Sequence, residues 1–536
     1  MKLFRKWIKK KLSHSPNQKS PQIEGSTSEI SLDTRLNTNI DVITQRLGNS
    51  TDLMIRHFIM GDKNQQNAAI LYFDGITDTK SVLEPLVMIL HEQSNQQVQW
   101  PIIDAEDFIQ RLFVPVGSVK MVRDMTSLLK AILSGDTAIL FDGLDYGVIA
   151  GSRQWKERSI EEPNTESVVR GPRDGFTESL RTNTSLLRKR IKNPDLWMET
   201  LQIGRVTQTD VAMMYINGIA SPKVVDEVRT RLNSIDIDSI LESGYIEEFI
   251  QDKTLTVFPL VYNSERPDVI SAELLEGRVA ILVDGTPFVL IVPALFVQFL
   301  QASEDHYQRW DFATFIRLIR YASLGIALVA PALYVAIITF HQEILPPQLL
   351  MNLIAAREDV PFPAFVEAMI MEITFEILRE AGVRMPKTVG QAVSIVGTLV
   401  IGQAAVEAGL VSPAMVIIVS LTAIANFVIP SYSIAISLRL LRFFMMMLAG
   451  SLGIFGILLG LFIIVFHLCS LRSFGVPYLS TFAPFHLDDQ KDAILRVPRW
   501  AMFSRPFYTK NRNYIRIGSE TISPNQDLHG KDSSNS

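Results

Sequence analysis

The sequence predicts an α/β N-terminal region of two subdomains, placed in the cytosol, fused to an all-α polytopic transmembrane domain. Three observations carry that prediction. Charge is segregated: residues 321–470 hold 14 Asp, Glu, Lys and Arg in 150 positions, and the other 386 positions hold 93. Residues 36–285 alternate helical patterns with short apolar runs, as an α/β mixture does. Four apolar segments, 321–341, 388–409, 412–429 and 443–468, are long enough to span a bilayer.

Residues 1–35 form a basic N-terminal extension and linker. Phe4, Trp7, Ile8 and Leu12 fall at helical spacing beside Lys2, Arg5, Lys6, Lys9, Lys10 and Lys11. Either a short amphipathic helix on an anionic membrane surface or a solvated basic tail fits this pattern. No apolar run of the secretory kind follows, so the next region is expected to stay in the cytosol.

Residues 36–150 are the first expected subdomain and 151–285 the second, divided by the polar stretch 151–173. Strands are predicted at 68–73, 137–141, 146–150, 255–262 and 279–283. Helices are predicted at 36–60, 79–92, 119–132, 174–191, 208–217, 222–233 and 236–250. Three apolar runs end in Asp-Gly, at Asp74-Gly75, Asp142-Gly143 and Asp284-Gly285. Such pairs read as turns, because glycine tolerates the positive φ required there. A nucleophile or metal-ligand role for the aspartates lacks the second carboxylate that phosphate-transfer sites of this kind use.

The membrane domain is expected over 286–470, with two doubtful spans beside the four strong ones. Residues 288–301 are short and contain Pro293, and 363–380 carry four glutamates. The tail, 471–536, holds nine Lys/Arg against six Asp/Glu, which favours the cytosol. Two cytosolic ends require an even number of spans, four or six. Arg439 and Arg442 would face outward in either arrangement, against that orientation.

Composition excludes several functions. The single cysteine, Cys469, rules out a disulfide scaffold and cysteine-rich metal sites. A net charge of −5 offers no whole-chain attraction for nucleic acid. No phosphate loop, dinucleotide fingerprint, HExxH or GxSxG occurs, so neither an enzyme nor a bound cofactor or metal is expected.

Two features point to ion movement instead. In 388–409, Gln391, Ser394, Thr398, Gly402 and Ala405 fall within roughly 80° of one another at 100° per residue. This polar and small stripe suits the wall of a water-filled path, or close helix packing. In 363–380, Glu372, Glu376 and Glu380 share a face, with Glu367 off it. Repeated around a symmetric oligomer, those acids would form a cation-favouring ring; otherwise the segment lies at the interface with its acids in water. Glu407 is a further acidic candidate. Gly450, Gly453, Gly456 and Gly460 read as a packing face.

Long motifs carry a family resemblance over residues 65–510. They include SGDTAILFDGLDYGVIAGSRQWKERS from 134, ERPDVISAELLEGRVAILVDGTPF from 265, REDVPFPAFVEAMIMEITFEILREAG at 357–382, IGQAAVEAGLVSP at 401–413 and GVPYLSTFAPF at 475–485. The sequence resembles the A subunits of spore germinant receptors, the GerA family. The resemblance implies an endospore inner membrane and two partners: a transporter-like B subunit that binds nutrient and a lipoprotein C subunit. It also implies pentameric self-association into a nutrient-gated channel that releases monovalent cations. The stage V sporulation protein AF, an ion-release amplifier, shares the architecture. The alternatives are a scaffold coupling the nutrient-binding subunit to a separate channel, and an ion-release amplifier of that stage V type. No residue here maps to a nutrient pocket.

Overall fold

The computed structural model describes residues 31–60, 66–80, 82, 84, 118–153, 162–163, 166–384, 402–483, 485, 489–502, 504–505 and 516. The basic extension, most of 79–92 and the stripe residues Gln391, Ser394 and Thr398 lie outside the described residues.

Two five-stranded antiparallel sheets come first. The first is built from α1 (Leu36–Arg46), β1 (Leu53–Met60), β2 (Gln66–Phe73), β3 (Val119–Val122), α2 (Met125–Ile132), β4 (Thr137–Phe141) and β5 (Gly147–Ala150). The second follows with α3 (Leu180–Arg190), β6 (Leu196–Ile203), β7 (Thr209–Ile216), α4 (Pro222–Asn233), α5 (Ser243–Ile250), β8 (Tyr262–Ser264), α6 (Pro267–Leu275), β9 (Val279–Val283) and β10 (Val289–Val292). Strand orders are β1-β2-β4-β5-β3 and β6-β7-β9-β10-β8.

These orders are the same order written twice. The correspondence reaches individual hydrogen bonds. Leu36 N donates to Asp142 Oδ1 at 3.0 Å, and Leu180 N donates to Asp284 Oδ1 at 2.9 Å. Asn39 Oδ1 accepts from Asp33 N at 2.9 Å while its amide returns to Asp33 O; Asn183 does the same with Thr177, its Oδ1 accepting at 2.7 Å. Gly143 N reaches Thr34 O and Gly285 N reaches Glu178 O, both at 2.7 Å. The N-terminal region is therefore a tandem pair of one module. Its Asp-Gly pairs are turns, with φ of 87°, 85° and 92° at Gly75, Gly143 and Gly285. Asp142 and Asp284 are occupied in tying a helix start to a strand end.

The modules meet through α3. Arg188, 2% exposed, donates to both oxygens of Asp52 at 2.8 and 2.9 Å, to Ser50 Oγ and to Leu196 O. Its guanidinium lies 4.4 Å from the Phe73 ring centroid. A planar fork is needed to fill these acceptors together. Arg188→Lys is expected to destabilise the chain by about 2 kcal/mol, because the lost buried bonds are not replaced. Thermal unfolding of the full-length protein would check this.

Several sequence expectations change. The helix expected at 36–60 ends at Arg46, because Gly48 and Asn49 adopt φ of 67° and 52° and turn the chain into β1. The helix expected at 208–217 is β7, a run buried along most of its length; continuous burial removes the periodicity that distinguishes helix from strand. The strand expected at 255–262 survives only in its last residue, Tyr262, which begins β8. The doubtful span 288–301 is not a span. It contains β10 and a 3-10 turn, Phe296–Leu300, both belonging to the second module.

The helical part comprises α7 (Trp310–Phe340), α8 (Pro347–Ala355), α9 (Ala364–Arg384), α10 (Gly402–Glu407), α11 (Pro413–Val428) and α12 (Tyr432–Ser470). By length and apolar composition, α7 and α12 could each cross a membrane. The 39 residues of α12 do not form one rod. Gly453 breaks it with φ 62° and ψ −141°, and the two arms fold back on each other. A Cβ on Gly460 would lie 2.5 Å from Met445 Sδ, and one on Gly456 would fall on the Leu448 carbonyl oxygen. A straight helix would hold residues 445 and 460 about 22 Å apart.

Contacts fix the direction of the two arms of α12 and of α7. Ser437 on the first arm donates to Val257 O, and His467 near the end of the second lies 2.9 Å from Thr256 Oγ1. Both open ends of the hairpin therefore face the second module. Gly453 sits at the opposite end, against His341 just beyond α7. The segment after Ser470 returns to the modules: Ser473 Oγ donates to Leu260 O at 2.8 Å and accepts from Ala294 N at 2.9 Å.

Arg317 and Arg320 of α7 converge on Asp305, at 2.9 and 2.7 Å, and Arg317 also holds Asp492 of the tail at 3.0 Å. Burial pushes the Asp305 carboxyl up, but the two guanidinium groups outweigh it and hold the carboxyl below its usual range. Burial pushes the neighbouring His306 down to about 4, against the pull of Asp492. A histidine with a depressed folded pKa contributes stability above its unfolded pKa that is lost as pH falls toward the folded value. Stability of the folded chain should thus fall between about pH 6.5 and 4, and His306→Gln should flatten that dependence. Limited proteolysis across this range would measure it.

Candidate functional site: acid–arginine pairs between the helices

The most unusual chemistry lies between α9 and the first arm of α12. These elements run antiparallel: Phe365 packs on Gly450, Glu372 meets Arg442, Glu376 meets Arg439 and Arg379 reaches Tyr432. The four-residue spacing of the glutamates presents them on one helical face, and Arg439 and Arg442 meet them at i,i+3 spacing.

Glu372 is 0% exposed and lies 3.0 Å from Arg442, whose side chain is 2% exposed. Glu376 holds Arg439 at 2.7 Å and Arg442 at 3.2 Å. Two acids thus face two arginines. Charges buried this deeply persist only when paired, since unpaired burial costs several kcal/mol per ion. The pairing is incomplete in hydrogen bonds: among the described residues, the 3.0 Å approach of Arg442 is off hydrogen-bond geometry and no other group donates to either Glu372 oxygen.

A second buried acid was missed in the sequence. Glu367, also 0% exposed, accepts from Ser412 N at 2.6 Å and from the Ser412 hydroxyl. Ser412 caps α11 by accepting from Met415 N, and Tyr334 of α7 lies 2.9 Å from Ser412 Oγ. Arg357 is 3.5 Å from the carboxylate. A carboxylate at a helix start is favoured by the helix dipole. Ser412-Pro413 was the available signal, a capping residue followed by proline at the first helical position.

The structure treats the sequence candidates unequally. It brings Glu372 and Glu376 together and pairs both, so α9 does not lie at an interface with all its acids in water. Glu380 stays exposed and pairs with Arg384 at 2.7 Å. Glu407, at the end of α10, accepts from Gln403 at 2.8 Å in an exposed pair. Gly402 is buried, and a Cβ there would meet Val416 at 3.6 Å. Arg439, two residues from Ser437, lies toward the module-facing end of the bundle, and Arg442 sits near the middle of the first arm. No cluster with metal-binding composition occurs among the described residues.

A duplicated α/β module carrying apolar helices, with acid and arginine buried between them, defines a two-part protein built to place charge inside a helical bundle. The family model described as Bacillus/Clostridium GerA spore germination protein matches residues 41–508. The chain belongs to this family, the A-subunit family of spore germinant receptors. It is 51% identical over 483 residues to Spore germination protein KA of Bacillus subtilis, covering 90% of this chain and 88% of that protein. It is 40% identical to Spore germination protein GerLA of Bacillus cereus, covering 90% and 96%. A crystal structure of the N-terminal domain of the A subunit of the Bacillus megaterium spore germinant receptor GerK3 aligns at 44% identity and a TM-score of 0.40, covering 50% of this chain and 98% of that one. Membership implies a receptor complex with other subunits.

Proposed function

We propose that this chain is the subunit through which a nutrient signal releases monovalent cations from the spore. It self-associates, as a pentamer, in the spore inner membrane, with both the duplicated module and the C-terminal tail in the cytosol. A transporter-like B subunit binds the nutrient, and a lipoprotein C subunit completes the receptor. The bundle crosses the membrane several times, and the return of both soluble parts to one end supports an even number of crossings.

Glu372 carries this reading. A carboxylate that, among the described residues, is met only by the Arg442 ion pair outside hydrogen-bond geometry, deep among apolar helices, retains acceptor capacity for water or a monovalent cation. Arg442 neutralises it, which fits a closed path. Nutrient bound to the partner opens the path only by favouring a state in which this pairing changes. The same neutralisation favours a second reading, a scaffold whose buried charges are purely structural and whose partner or paralogue conducts.

Thiol accessibility separates the two. Ser394→Cys and Thr398→Cys, each with Cys469 replaced, are tested in the complete receptor with an impermeant reagent before and after nutrient. Block of cation efflux after nutrient is expected. Responsive, assembled receptor that never reacts at either position would overturn the channel reading in favour of the scaffold.

A further inference from the structure

We infer that Arg379 is a phosphate-binding residue at the module-facing rim of the helical bundle, where it holds the phosphate of a phospholipid headgroup or free phosphate. The buried pairs account for the other arginines around it. Arg439 and Arg442 are taken by Glu372 and Glu376, and Arg384 by Glu380. Four arginines thus stand against three glutamates, and among the described residues Arg379 is the one with no close ion pair, Glu376 reaching it only through its field while held by Arg439 and Arg442. Among the described residues its Nη1 is buried with no acceptor, and Nε of Arg439, within electrostatic reach, is likewise unsatisfied.

Position supplies the second argument. The guanidinium carbon lies 5.8 Å from the Phe427 ring centroid and 5.7 Å from that of Tyr432. Both residues border the turn joining α11 to α12, and they are 69% and 59% exposed, so the clamp opens outward from the bundle. This turn lies at the end marked by Ser437 and the second module. Under the membrane placement proposed above, on which this inference rests, that is headgroup height. Aromatic faces orient a guanidinium without neutralising it. Its remaining N–H groups match the oxygens of a phosphate.

The test titrates the purified full-length protein with dioctanoylphosphatidylglycerol, with phosphate-free dioctanoylglycerol and with inorganic phosphate. Wild type should prefer the phospholipid over the glyceride by roughly tenfold or more, as expected for one charge-assisted contact. Arg379→Gln should abolish the preference, Arg379→Lys retain part of it and Arg384→Gln leave it intact. Phe427→Leu, which keeps every charge, should weaken it even if Arg379→Gln does not fold. Displacement by millimolar inorganic phosphate would assign the site to free anion; resistance would assign it to lipid. An unchanged preference in a folded Arg379→Gln protein, or equal loss in Arg384→Gln, would overturn the inference. Co-flotation of wild type with phosphatidylcholine vesicles reports the membrane placement independently, so the two failures are distinguishable.

Discussion

Arg442→Met should destabilise the full-length protein by about 3–5 kcal/mol, as expected when one partner of a buried ion pair is removed. Glu372 would then be left at 0% exposure with no charged partner among the described residues, whereas Glu376 would retain Arg439 at 2.7 Å. The double change Arg442→Met with Glu372→Leu should recover most of the loss, since replacing a buried pair by packed apolar side chains is often neutral. Thermal unfolding in detergent measures both. If the single variant is as stable as wild type, Glu372 already has another source of compensation. The double variant also probes function: restored stability with lost nutrient-triggered efflux would place the pair in the gate.

Gly456→Val should be as damaging, for a steric reason. The arms of α12 cross so closely there that any Cβ meets backbone, the Leu448 carbonyl, which cannot rotate away as a side chain could. Overpacking of this kind costs about 1–3 kcal/mol even where side chains can shift, and more where backbone must move. Gly453→Ala adds conformational strain of about 1–3 kcal/mol, because its φ of 62° with ψ of −141° is a region essentially reserved for glycine. A hairpin predicts failure at both positions. A single straight helix predicts that Gly453→Ala stabilises, so cysteine cross-linking between positions 445 and 460 would decide between the two geometries.

Particular elements show how much was legible. Residues 137–141, 279–283 and 222–233 were placed to the residue, because each apolar run or amphipathic stretch is bounded by local signals: Gly135-Asp136 before the first, Asp284-Gly285 after the second, Ser221-Pro222 before the third. The Asp-Gly turns were readable for the same reason. The acid face of α9 was also visible from spacing. Its partners were not, because Arg442 stands 70 positions from Glu372 and no local pattern links them.

Sequence by itself determined the two-part architecture, since charge density and apolar length are set by composition wherever the chain runs. It determined the family as well, through long motifs in fixed order. Only the tertiary structure decided that the N-terminal region is one module repeated. The repeat is carried by strand order and by matching hydrogen bonds such as Leu36–Asp142 and Leu180–Asp284, while the intervening residues differ. It also decided that the last apolar stretch is a hairpin, because a glycine inside a helix and a glycine at a reversal read alike until the facing backbone is in place. The pairing of buried charge was settled there too: a carboxylate's state depends on the guanidinium that folding brings to it.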